Sequence, residues 1–136
     1  MQESLFAKII KGEIPCHKIY EDDEVLAFLD IYPIQPGHAL VIPKQQVDHL
    51  DDLNDRIYIH LFKVVKLLSQ RVKGILRVER ACLAVQGFDI AHAHVHISPC
   101  NQAVDFYNIP DRSKEPDHQA LSDMASKLAI KQGKNE

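Results

Sequence analysis

Cysteine is scarce and unpatterned in this chain: Cys16, Cys82 and Cys100 are all there is, and no Cys-x-x-Cys pair occurs. An odd number at such spacings argues against a disulfide framework and against a thiolate zinc site, and it points to a reducing compartment, the cytoplasm. Long apolar runs are missing as well. The opening MQESLFAKIIKGEIP interrupts its apolar residues with Lys8 and Lys11 before a signal-peptide core can form, and no later stretch approaches the roughly 20 residues of a membrane span. No basic block interleaved with aromatics is present either. With 16 Lys and Arg against 19 Asp and Glu, a net charge of −3, duplex nucleic acid is not an expected partner, whereas small phosphorylated ligands remain open. No repeat or low-complexity linker divides the 136 residues. A single domain over 1–136 is therefore expected, large enough to bury roughly two thirds of the surface of its unfolded chain.

What is there is patterned. HKIYEDDEVLAFLDIYP holds short apolar runs around Ile19–Tyr20 and Val25–Leu29, split by an acidic turn, which predicts a hairpin. GHALVIP is a third strand, opened by QPG and closed by Pro43. From a cap at Asn54 or Asp55, Ile57, Leu61, Val64, Val65, Leu68 and Val72 recur at intervals of three and four until Gly74, the strongest helix signal in the chain. ACLAVQG and HAHVHIS read as two strands joined tightly around Gly87, and DHQALSDMASKLAI as a C-terminal helix. Strands and helices in this order predict an α+β domain with helices packed on an antiparallel sheet.

The most unusual segment is FDIAHAHVHISP, where His92, His94 and His96 occupy every second position. On a strand all three point to one face, roughly 6.5–7 Å apart, while Ala93, Val95 and Ile97 point to the other. Such a row supports two chemistries. One neutral imidazole can attack phosphorus while its second nitrogen keeps a proton on a backbone carbonyl, with its neighbours donating to the phosphate oxygens. Alternatively, His-x-His pairs can ligate zinc or another transition metal, although no nearby Asp extends the row toward a metal-enzyme signature. The plain alternative is a polar strand face on which the histidines carry no chemistry.

The motif HAHVHIS resembles that of the histidine triad (HIT) superfamily, and Gly12 to Lys44 is similar to the N-terminal half of that family with little interruption. The likeness continues to about Pro99, some three quarters of the chain. It implies an antiparallel sheet of about five strands with one long and one shorter C-terminal helix, paired into a homodimer, and a nucleotide hydrolase. In that reading His94 attacks the α-phosphorus of a nucleoside phosphate and forms a nucleotidyl-histidine that water cleaves. The resemblance assigns His96 to the phosphate oxygens and leaving group, His92 to orienting the row, and Asp30 to the ribose hydroxyls. It sets Phe28, Leu29 and Ile31 around the base, with Phe28 and Ile31 expected in the core, and His38 as support for the ring of His92. Nucleoside phosphoramidates and dinucleoside polyphosphates are both implied substrates, with no cofactor. Because the transferase branch commonly carries glutamine at the position of His96, hydrolysis is favoured over transfer.

Two departures matter. Many bacterial-type relatives build a structural zinc site from two cysteines and a histidine at positions that here are Ser4, Ala7 and Gln46, so no structural zinc is expected. The loop AVQGFDIAHAH is also shortened relative to well-studied members, and Asp89 falls near an expected serine, where a carboxylate would repel phosphate. The loop's roles are therefore not carried onto Gln86 or Asp89, and a nucleotide-binding regulatory protein with little catalysis stands as an alternative function. His17, His49, His60 and His118 are assigned no special role.

Overall fold

The computed structural model describes residues 2–131. The elements follow as α1 (Leu5–Ile10), β1 (Lys18–Glu21), β2 (Val25–Leu29), β3 (Ala39–Pro43), a 3-10 turn (Leu50–Asp52), α2 (Asp55–Leu76), β4 (Arg80–Ala84), β5 (Val95–Cys100), α3 (Ala103–Phe106) and α4 (His118–Leu128). The strands form a single five-stranded antiparallel sheet in the order β1-β2-β3-β5-β4. This is the expected α+β architecture. Among the described residues, no helix is long and apolar enough to cross a membrane.

The β1–β2 hairpin turns on Asp22, whose Oδ1 accepts the amides of Glu24 and Val25, each at 2.8 Å. Short polar side chains that bond their own following backbone are what make such turns. One face of the sheet then carries Ile19, Val25, Ala27, Leu29, Ala39, Val41, Val95 and Ile97, covered by α2 and α4. Of the two caps the sequence offers, helix α2 uses Asn54, whose side chain accepts the Ile57 amide at 2.9 Å, and it buries the expected stripe from Ile57 to Val72. It does not stop at Gly74. Glycine within a helix costs only about 1 kcal/mol relative to alanine, and the next turn packs Leu76 against the core, so the helix runs on to an αL residue, Arg77 (φ 55°). Helix α4 is capped by Asp117 and ends at Leu128, two residues short of the expected Ile130, because Arg71 of α2 claims the carbonyls of Leu128 and Ala129 at 2.7 and 3.0 Å.

The opposite face is only partly covered. A second, smaller cluster of Leu26, Phe28, Leu40 and Ile42 is capped by Phe6 of α1. That helix is capped by Ser4, which accepts the Ala7 amide at 2.9 Å. The sequence reading treated this segment only as a possible leader and missed the helix, as it missed the single turn α3.

One further expectation is corrected. The connection from β4 to β5 is not a tight turn at Gly87, since β4 ends at Ala84 and β5 begins only at Val95. His92 and Ala93 have other backbone partners, the carbonyls of Ile90 (2.8 Å) and Val47 (2.7 Å), so the first two histidines of the motif precede the strand, His92 in a bend, rather than lying within it.

Candidate active site

Register sets the platform. Phe28 pairs with Leu40, Leu40 with His96, and His96 with Ala84, which lines up one row across the open face from β2 to β4. Along the chain, His94 and His96 rings stand 5.0 Å apart edge to face, and Phe6 meets the His94 ring at 5.1 Å. His92 is fully buried and His94 nearly so.

Hydrogen bonds decide which nitrogen of each ring carries a proton. The Nε2 of His92 lies 2.8 Å from the carbonyl oxygen of Pro43, which can only accept, so this nitrogen is protonated and Nδ1 accepts from the Ser4 hydroxyl at 2.8 Å. The same logic applies to His94. Its Nδ1 sits 2.7 Å from the His92 carbonyl and donates to it, leaving the Nε2 lone pair uncommitted. His38 begins a second relay: the Ile34 amide donates to its Nδ1 at 3.2 Å, so its Nε2 carries the proton and donates to Nδ1 of His96 at 2.9 Å. His96 is thereby left with Nε2–H as a donor. Burial, reinforced by the rings of His38 and His94, pushes the His96 pKa down to about 4. Burial also lowers His92 and His38. Burial thus favours the neutral form of His38, His92 and His96, which a donor–acceptor chain of this kind requires.

His38 consequently supports His96, not His92 as expected, and it is buried rather than at the surface. The reason lies in the register, which pairs Ala39 with Ile97 and so brings the preceding turn beside the end of the motif. His92 is held instead by Ser4. The positions matching the zinc ligands of relatives do meet here, but Gln46 Oε1 accepts the Ser4 amide at 2.9 Å and its Nε2 donates to the Gln2 carbonyl at 2.8 Å, a hydrogen-bonded patch with no thiolate to offer a metal.

Asp30 closes the turn after β2 by accepting the Tyr32 amide on Oδ1 at 2.9 Å, while Oδ2 remains 3.7 Å from the His38 ring. One oxygen of Asp30 is thus spent on the turn, and the residue borders both the apolar cleft and the smaller hollow. Phe28 lies on the open face with Phe6, their rings 5.5 Å apart. Leu29 faces the other way into the helix-side core and offers the site almost no surface, as strand alternation demands. Ile31 is not core. At 40% exposure it forms part of the rim.

Three hollows meet at this row. An apolar cleft of about 290 Å³ runs between Phe6, Phe28, Leu40 and Ile31 and reaches Asp30, His94 and His96. A smaller hollow of mixed lining, about 180 Å³, lies beyond His96, bounded by Asp30, His38, Ser98 and Gln86 together with Ile34 and Phe106. A third hollow opens on the far side of His94, between His49, Asp48, Asp51 and Phe88. The tail after Asn101, to which no sequence motif assigns either the pocket edge or a dimer contact, borders the site. Asn108 donates to the Ile34 carbonyl at 2.9 Å, and Arg112 sits 5.8 Å over the Tyr32 ring and borders both the apolar cleft and the smaller hollow. No local pattern signals this, because Arg112 reaches the site from an irregular segment.

Potential metal ligands converge once among the described residues, where atoms of Asp30, His38 and His96 lie within 4.8 Å of one another. The Ile34 amide nevertheless keeps a proton on His38 Nε2, which removes the lone pair a cation would need there. The triad row itself fares no better as a metal site, since both nitrogens of His92 and one of His94 are engaged with protein groups.

The HIT domain model matches residues 11–103. An uncharacterized HIT-like protein of Borreliella burgdorferi is 40% identical over 106 residues, covering 73% of this chain and 76% of that protein. An adenosine 5'-monophosphoramidase of Schizosaccharomyces pombe is 38% identical over 99 residues, covering 70% and 72%. The crystal structure of a HIT-like protein from Bartonella henselae superposes with a TM-score of 0.82 at 30% identity, covering 93% of each chain.

Proposed function

Since the chain belongs to the HIT domain family, we propose that it is a nucleotide hydrolase that breaks the bond between a nucleoside α-phosphate and its leaving group through a nucleotidyl-histidine on His94. One observation carries the reading: the 2.7 Å bond from His94 Nδ1 to the His92 carbonyl leaves Nε2 uncommitted on a ring that lines the apolar cleft.

In this mechanism Nε2 of His94 attacks phosphorus, the bond to the leaving group breaks as a departing amine takes a proton from solvent, and the new N–P bond leaves the ring positively charged. The His92 carbonyl, still accepting from Nδ1–H, stabilises that charge. Nε2–H of His96 donates to the oxygens around phosphorus, where charge gathers. Water then attacks the phosphorus, the N–P bond breaks and His94 regains its lone pair, with the proton of the water passing to solvent. The base lies in the apolar cleft against Phe28 with Ile31 at its rim, and Asp30 accepts from the ribose. His92 and His38 are positioning residues that act through His94 and His96. The S. pombe relative's name supports an amine leaving group, and a dinucleoside polyphosphate is the second substrate class. The whole chain acts as one domain, works in the cytoplasm, and pairs as a homodimer through the exposed β4 edge.

Incubation with adenosine 5'-phosphoramidate should release AMP, and intact-mass measurement on a rapidly quenched sample should find one nucleotidyl group lost in His94→Ala. A second reading draws on Asp89, exposed beside the cleft where it can repel substrate phosphate. It predicts calorimetric binding of AMP with no product from either substrate class.

A further inference from the structure

Ser98 is the single buried side-chain polar group among the described residues that lacks a hydrogen-bond partner. It is 1% exposed and follows His96 by two positions on β5, so both side chains face the same side of the sheet. An unpaired buried hydroxyl works against folding, and its retention asks for a partner that arrives later.

The surroundings identify that partner by chemistry. Ser98 borders the smaller hollow of about 180 Å³, where Asp30, His38, His96 and Gln86 share the wall with Ile34 and Phe106. The nearby ring nitrogens have other work: His38 is committed to the Ile34 amide and to His96, Nδ1 of His96 is taken, and Nε2–H of His96 is the donor assigned above to the phosphate oxygens. An anion in this cavity would face the Asp30 carboxylate. A cation would face Arg112 at the rim and a ring nitrogen that carries a proton. A neutral group rich in hydroxyls satisfies both ends: one hydroxyl donates to Oδ2 of Asp30, 3.7 Å clear of the His38 ring, and another pairs with Ser98 Oγ. A ribose carries two adjacent hydroxyls and fits the volume.

We propose that Ser98 is a specificity-determining residue that pairs with one ribose hydroxyl while Asp30 takes the other, so that ribonucleotides are selected over deoxynucleotides. This rests on the hydrolase reading above. The protein thus keeps a hydroxyl that weakens the empty state and is satisfied only when substrate is bound.

The test is a cycle of wild type and Ser98→Ala against the 5'-phosphoramidates of adenosine, 2'-deoxyadenosine and 3'-deoxyadenosine, read as kcat and KM, with melting temperatures of both proteins without ligand. Ser98→Ala should melt at the same temperature or higher. It should lose on the order of 10-fold in kcat/KM for the ribonucleotide, chiefly through KM, and nothing for the deoxynucleotide that lacks the hydroxyl Ser98 would meet. Equal losses on all three substrates would mark a packing effect and overturn the assignment. So would an unchanged ribonucleotide KM with a lowered melting temperature, the signature of a serine held by a structural water. Wild type that neither binds nor cleaves any of the three would instead remove the hydrolase reading, and the Ser98 assignment with it.

Discussion

A histidine attacks phosphorus only when its reacting nitrogen is bare and its other nitrogen is held, and in this chain the holding group is the backbone of a second histidine two residues earlier. His94→Ala should therefore lower turnover by roughly three orders of magnitude or more, measured by AMP release, without changing the melting temperature by more than a few degrees; retained turnover would remove His94 from the reaction. The depressed His96 has a separate consequence for stability. Its native pKa of about 4 lies below the ordinary 6.5, so between these values the unfolded chain takes up a proton that the native protein refuses. The contribution of this group to stability is fully present above pH 6.5 and is lost as pH falls toward 4. His92 and His38, lowered in the same direction, add to that slope. Urea midpoints should thus fall from pH 7 to 4.5, and His96→Gln should give a shallower fall. Parallel slopes for the two proteins would contradict the burial argument.

Elements were legible where local pattern and packing agree. The stripe from Ile57 to Val72 and the cap at Asn54 identify α2 from sequence because a three-to-four spacing has one structural solution at that length. The exit of α2 was not legible, since Leu76 is drawn onto the core by contacts that local propensity does not contain. Helix α1 was missed for a related reason: it covers Phe28 and Leu40 on the less hydrophobic face of the sheet, and six residues carry little periodic signal. Two substitutions test these ends. Gly37 has φ +94°, and a Cβ there would lie 2.6 Å from Leu76 Cδ1 and 3.1 Å from Pro99 Cγ. Gly37→Ala should accordingly cost about 2 kcal/mol in chemical denaturation and loosen the turn that carries His38. Arg77 occupies the αL cap of α2 as a non-glycine residue, so Arg77→Gly should stabilise by about 0.5–1 kcal/mol. A loss of stability in Arg77→Gly would show that its side chain contributes more than its backbone strain costs.

For the whole molecule, the sheet ends at β4, an edge strand with unpaired backbone groups, and Leu83 on that strand and Leu67 and Ile75 on α2 keep 46%, 42% and 43% of their surface exposed. Edges of this kind invite a second sheet. A homodimer through β4 predicts a sedimentation mass near twice the 15.5 kDa chain, reduced to the single-chain value in Leu83→Glu. A wild type that sediments as one chain at micromolar concentration would exclude the pairing.

The sequence by itself determined that His94 and His96 share a face opposite Val95 and Ile97, that α2 buries one stripe, and that helices would cover an antiparallel sheet, because side-chain periodicity is a local property of backbone geometry. Only the tertiary structure decided which proton sits on which ring. Ser4 and Pro43 orient His92 from 88 and 49 residues away, and His38 reaches His96 across 58. Hydrogen bonds act over about 3 Å, and which groups come that close depends on how distant segments pack.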